Sequence, residues 1–173
     1  MIISVDQAKK LIGLKNWSDE KIKMKLDAIE QTIREYTHNN FQKRNIRSEC
    51  AVMAQKIYGY VPGLNVGDTI QISESRFNDG LYVVECIEGN FIILDKILID
   101  ESHALVTKVE YPADVVDCVV ELMEWHLNYG GKVGVKSETL SRHSVTYEDS
   151  ATLFMGYPVG ILNGLKLYMK ARF

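Results

Sequence analysis

The sequence predicts an α+β fold: mainly a bundle of about four helices, with a small antiparallel β-barrel or curled sheet inserted into it. Two features predict it. Apolar residues recur at helical spacing near both ends of the chain, and the middle shortens to a period of two with regularly placed turn signals. The expected domains are a helical one, 1–44 with 111–173, and an inserted β-lobe, 45–110.

Each element has a local cause. Ser4 and Gln7 form a capping-box pattern ahead of a short helix from Val5 to about Ile12, which Gly13 ends. Ser18 caps a longer helix with Asp19 and Glu20 in its first turn, where the dipole favours negative charge. Ile22, Leu26, Ile29, Ile33 and Tyr36 form its apolar stripe, and Asn39-Asn40 marks its stop. Strands are expected over Cys50 to Tyr58, Thr69 to Ser73, Leu81 to Ile87, Phe91 to Leu94 and Ala104 to Val109. Asn78-Asp79-Gly80 and Glu88-Gly89-Asn90 supply turns, since Gly, Asn and Asp tolerate positive φ. Pro112 suits the first turn of a helix running to about Asn128, ended by Gly130-Gly131. Residues 138–147 alternate weakly, as a hairpin or an extended arm. Pro158 opens a last helix through Leu162, Leu165 and Tyr168.

Composition narrows the function. At 173 residues with 46% hydrophobic and 25% charged side chains, the chain is long enough and apolar enough to build a core. A net charge of −3 argues against a dedicated nucleic-acid binder, which needs a basic stripe. Cys50, Cys86 and Cys118 are widely spaced with no CxxC, so free thiols in a reducing compartment are expected, with no zinc site. Neither a basic-then-apolar leader nor a stretch of roughly 18 apolar residues occurs, so neither secretion nor a membrane span is expected.

The segment from Ala113 to Leu127 is the most informative. Asp114, Asp117, Glu121, Glu124 and Asn128 make one narrow polar stripe, and nearly all else there is apolar. A surface helix needs only a ~100° apolar face, so this helix either sits centrally or packs on another subunit. The stripe reads as a solvated face rather than paired carboxylates, since no His or Cys lies at ligand spacing with it. His126 is a lone histidine of a core or interface; His38, His103 and His143 are isolated too. Gly130-Gly131-Lys132 is not a phosphate loop, because His126 and Val133 stand where a Gly and a Ser or Thr are required. No cofactor and no catalytic activity are expected. Lys166, Lys170 and Arg172, among Leu167, Tyr168, Met169 and Phe173, fit either an amphipathic terminal helix with dipole-favoured cations or a docking segment.

Three segments carry a resemblance. They are Ser4-Val5-Asp6-Gln7-Ala8-Lys9-Lys10-Leu11 with the long helix ending Ile33-Arg34-Glu35-Tyr36-Thr37 and Asn39-Asn40-Phe41; Tyr111-Pro112-Ala113-Asp114-Val115 leading into a helix with Trp125; and Gly134-Val135-Lys136-Ser137-Glu138 through Ser144-Val145-Thr146-Tyr147 to Pro158. In their order and spacing, over more than half of the chain, they resemble the head–tail connector (adaptor, or head-completion) proteins of siphophages and related prophages. The β-lobe departs from that pattern, since many members join these helices by a short loop. The resemblance implies a non-enzymatic virion protein at the phage neck, assembled in the bacterial cytoplasm. It implies a homo-oligomeric ring of about a dozen copies, seated between the portal protein and a stopper or tail-completion protein, through which double-stranded DNA passes, with no membrane involved. On that reading Ile22, Ile29, Val116, Val120, Met123 and Trp125 are candidates for the subunit interface. Lys132, Lys136, Glu138 and Arg142 would line the channel or reach a neighbour, and Leu167, Tyr168, Lys170, Arg172 and Phe173 would dock on the portal. The competing expectation is a monomeric protein- or peptide-binding module with a small barrel on a helical base.

Overall fold

The computed structural model describes residues 1–14, 16–130, 137–140, 143–146 and 153–171, with backbone alone for 137–140 and 143–146. The chain divides into two compact units, Met1–Asn39 with Tyr111–Phe173, and Asn40–Glu110.

In the first unit, α1 (Val5–Ile12) starts at Ser4, whose hydroxyl accepts from Gln7 N (3.2 Å) while Gln7 Oε1 accepts from Ser4 N (2.8 Å). This reciprocal pair satisfies two donors that a helix start otherwise leaves bare. α2 (Asp19–Thr37) is capped by Ser18, and His38 ends it in the left-handed region at φ 51°. Its stripe of Ile22, Leu26, Ile29 and Ile33 is buried. Thr32 and Thr37 sit buried among them by bonding back to Ala28 O (2.9 Å) and Ile33 O (2.7 Å). α3 (Ala113–Tyr129) packs against α1 and α2 and buries Val115, Cys118, Val119, Leu122 and Met123.

The second unit is a closed barrel of six antiparallel strands: β1 (Gln42–Met53), β2 (Lys56–Tyr58), β3 (Thr69–Ser73), β4 (Gly80–Glu88), β5 (Phe91–Leu94) and β6 (Glu101–Val109). The order around the barrel is β1-β2-β5-β4-β3-β6, closed by β6 against β1. Closure leaves no free sheet edge. Alternate residues fill the interior: Val52, Ile57, Ile70, Ile72, Val84, Ile92, Leu94, Ala104 and Val106. Gly59 is required there. It adopts φ 154°, and a Cβ on it would lie 2.5 Å from Cys50 Sγ.

This corrects the expected architecture. The barrel dominates, with about 31% of the chain in strand, in place of a helical bundle carrying a small insert. Two physical causes account for the difference. β1 begins at Gln42, through Lys43, Arg44 and Arg47, whose charged side chains hide the alternation, and β6 likewise begins at Glu101. At the other end, the anticipated terminal helix is one α turn, α4 (Val159–Leu162), followed by a 3₁₀ helix, Asn163–Tyr168. Gly160 and Gly164 weaken α-helix there by about 1 kcal/mol each relative to Ala. A short hairpin precedes α4: β9 and β10 (Leu153–Phe154 and Tyr157–Pro158) turn through Met155 and Gly156, both at positive φ. Between α3 and that hairpin, β7 (Ser137–Leu140) pairs antiparallel with β8 (His143–Thr146).

Ile70→Ala, in the barrel interior, is expected to cost about 2–5 kcal/mol. Gly59→Ala is expected to destabilise by about 1–3 kcal/mol through overpacking against Cys50. Urea unfolding followed by far-ultraviolet circular dichroism checks both; tryptophan fluorescence is the wrong probe, since Trp17 and Trp125 both lie outside the barrel unit.

Candidate interaction surfaces

The strongest polar cluster in the helical unit joins α2 to the start of α3. Glu30 is buried, and its Oε1 accepts from Arg34 and from the Tyr111 hydroxyl (3.1 Å). Its Oε2 accepts from Ile2 N (3.0 Å) and lies 3.3 Å from the Met1 ammonium. Arg34 also donates to the Tyr111 hydroxyl. Burial and the Glu30 charge together push the Tyr111 phenol far above its ordinary range, so it stays a donor. Every oxygen of the carboxylate is engaged, which is the condition under which a buried charge is tolerated. The cluster therefore joins elements; it presents no free base.

A second cluster covers part of the face formed by α2, α3 and β10. Lys21 Nζ stands 4.0 Å from the centre of the Trp17 ring, and Lys25 Nζ 5.3 Å from that of Tyr157. His126 meets Trp17 edge-on at 6.2 Å, and Trp125 lies 6.3 Å from Tyr129 and 6.1 Å from Tyr157. Gly130 makes room for His126, since a Cβ there would fall 2.4 Å from the ring's Nδ1. Desolvation holds the His126 pKa below its ordinary 6.5, and the Lys25 and Lys21 charges lower it further. Burial likewise lowers Lys25 and raises the Tyr157 phenol to about 12. Among the described residues no carboxylate pairs with Lys21 or Lys25. Cation–π contact stabilises both ammonium groups without neutralising them, so this part of the face is aromatic and basic, with the exposed Glu121 and Glu124 of α3 at its border.

The barrel carries a third surface at the end away from residues 42 and 109. The loops 74–79 and 95–100 are tied together through Asn78, which is buried. Its amide nitrogen donates to Ile99 O (2.8 Å) and its amide oxygen accepts from Ile99 N (2.8 Å). Glu101 accepts from the Ser75 hydroxyl, from Asn78 and from Arg76 N (2.9 Å). Desolvation raises the Glu101 pKa, but these three donors outweigh it and hold the carboxyl below its ordinary range. At the opposite end Lys108 bonds Asp68 (2.7 Å) and Gly63 O (2.6 Å), fastening the loop 59–68.

The sequence-predicted residues fall into different settings. Ile22, Ile29 and Met123 are fully buried in the helical unit, so their surface is spent on its own core. Val116, Val120 and Trp125 are half-buried and keep surface to offer. The stripe of Asp114, Asp117, Glu121, Glu124 and Asn128 is exposed along its length. Asp114 accepts from the Tyr168 hydroxyl (2.8 Å), and Asn39 donates to Tyr168 O (3.0 Å), so Tyr168 anchors the 3₁₀ helix. Beside it Leu167 is 90% exposed, and Lys170 is exposed with its backbone N bonded to Thr37 O (2.8 Å). Lys132, Lys136, Arg142, Arg172, Phe173 and the Glu138 side chain lie outside the described residues. Sequence reasoning missed the Lys21–Lys25–His126 grouping, although Lys21 and Lys25 at i, i+4 announce a shared helix face. It also missed the Asn78–Glu101 tie, whose partners are 23 residues apart.

No protein-family model matches this chain, and none of the curated proteins matches it.

Two predictions test these clusters. Tyr111→Phe is expected to cost about 1.5–3 kcal/mol, because it removes hydrogen bonds to a charged pair without opening a cavity; chemical denaturation measures it. His126 should titrate below 6.5 by NMR, and Lys21→Ala with Lys25→Ala should raise it. A folded pKa below the unfolded one means the unfolded chain binds the proton first. The His126 contribution is therefore fully present above pH 6.5 and is lost as pH falls toward the folded value. A pKa at or above 6.5 would refute the desolvated placement.

Proposed function

We propose that this chain is a structural subunit of an oligomeric ring at the neck of a tailed bacteriophage, joining the portal to the stopper or tail and letting DNA pass. The observation that carries the reading is the amount of large apolar surface that the helical unit leaves in water: Leu11, Met24, Leu127, Tyr129, Leu167 and Met169 are all exposed. Scattered exposed apolar residues are ordinary, but this many on one helical unit suit a protein whose neighbours cover them. Met24 and Leu167 are 69% and 90% exposed, and no packing among the described residues explains their type. The order of the three connector-like segments points the same way, and the net charge of −3 suits a channel wall along which DNA slides without sticking.

Homo-oligomeric contact falls to the half-buried Val116, Val120 and Trp125 and to exposed Met24; portal docking falls to Leu167 and Lys170 on the 3₁₀ segment. Peptide capture by strand addition, one way in which a sheet binds a peptide, has no edge to work with in the closed barrel.

Deleting the reading frame from the phage or prophage that carries it, then imaging the induced lysate, tests the reading. Separate heads and complete tails are the expected outcome; joined, infectious particles would sink it. Leu167→Asp together with Met169→Asp should weaken retention of the chain on purified portal by about tenfold or more while leaving the circular dichroism spectrum unchanged. Undiminished retention would remove the docking assignment.

A further inference from the structure

The barrel tip and the basic aromatic face are complementary to each other. The tip displays Met53, Phe77, Ile97 and Ile99, with Ile97 79% exposed. It is rigid before any partner arrives, because Asn78 and Glu101 lock the two loops and Gln55 N bonds Asp100 (3.4 Å). A preorganised apolar tip loses little entropy on docking. It is also acidic. Residues 74–79 and 95–101 hold Glu74, Asp79, Asp95, Asp100 and Glu101 against Arg76 and Lys96, a net of −3 that equals the net charge of the whole chain. The field is felt locally: after desolvation, Asp95, Asp79 and Glu101 each push the Tyr82 phenol upward. The face with Trp17, Lys21, Lys25, Trp125, His126 and Tyr129 offers the converse, two ammonium groups without carboxylate partners among the described residues, set in aromatic surface.

We infer that the acidic, apolar barrel tip of one copy docks on the basic, aromatic α2–α3 face of a second copy. Such a contact joins two different patches, so each copy offers both halves and the contact repeats from copy to copy, closing a ring where the rotation permits. The barrel then serves to bridge neighbours. The inference rests on the self-assembly proposed above. An acidic tip repels nucleic acid and attracts a basic surface, and the Lys21–Lys25 face offers one set in aromatic surface that matches the tip's apolar side chains.

The test uses the full chain with a photocrosslinking benzophenone amino acid at Phe77. Irradiation should yield dimers whose crosslinks map to the peptides bearing Trp17–Lys25 or Trp125–Tyr129. Lys21→Glu/Lys25→Glu should cut the dimer yield about tenfold or more, as should Glu74→Lys/Ile97→Lys. An equimolar mixture of the two variants should recover the yield, because each supplies the charge the other lacks. Tip-to-tip crosslinks, a mixture that fails to recover, or no dimer from the wild-type chain overturns the contact. The deletion phenotype then decides separately whether the ring reading stands. Loss of double-stranded DNA retention in Lys21→Glu/Lys25→Glu with crosslinking unchanged also overturns it and assigns the face to nucleic acid.

Discussion

The pairing of the first barrel strand with the last is the constraint on which the rest depends. Gln42 lies opposite Val109, and Glu110 N donates to Phe41 O at 3.0 Å. The insertion therefore leaves at the point where it enters. Seventy-one residues, 40–110, are spliced between α2 and α3 without separating those helices, which pack as though joined by a short turn. Closure does both jobs at once: it satisfies the backbone groups of β1 and β6, and it brings the chain back to the helical unit.

With the helices held together, burying charge between them becomes possible. Glu30 projects from α2 toward Tyr111, the residue that leads into α3, and Arg34 one turn on bonds both. A lone carboxylate at that depth would be neutralised or excluded. Here its oxygens are fully engaged, and the phenol is pinned in its protonated form by burial and by the adjacent negative charge. Each member depends on the others, because removing one would leave an uncompensated charge buried. The barrel tip uses the same device at smaller scale, with Asn78 filling both its donor and acceptor roles against one residue, Ile99.

Much of this was legible in the sequence wherever the determinants were local. The capping box at Ser4, the stop at Gly13, the cap at Ser18 and the strands Thr69–Ser73 and Phe91–Leu94 lie where their residues said. What failed was the balance of the architecture. β1 carries Lys43, Arg44, Arg47 and Glu49 among its twelve residues, because its outward face meets water, and charges clustered at its start weaken the period-two signal. The terminal segment read as a helix because Leu162, Leu165 and Tyr168 keep a spacing of three, which a 3₁₀ helix satisfies at least as well as an α-helix. Of the surfaces, the solvated carboxylate stripe of α3 was readable from spacing alone. The Lys21–Lys25–His126 face and the Asn78–Glu101 tie needed three dimensions, since each joins residues from segments that sequence order keeps apart.

The exposed residues carry the remaining logic. A monomer gains nothing by holding Phe77 and Ile97 in water on loops fastened by buried hydrogen bonds, because the fastening removes the freedom with which those side chains could shelter. Rigid apolar display is costly for the isolated chain, and on the proposed contact a second copy removes the same surface from solvent, at roughly 25 cal/mol per Å² covered. The same holds for two ammonium groups set against Trp17 and Tyr157 with no carboxylate partner among the described residues: cation–π contact orients them and leaves them available. On the proposed contact, the acidic tip of one copy and the basic face of another attract each other, and at low ionic strength that attraction acts before contact is made. Assembly would then weaken with salt sooner than the fold does, because the tip and the face are screened while the barrel interior and the Glu30 cluster are not.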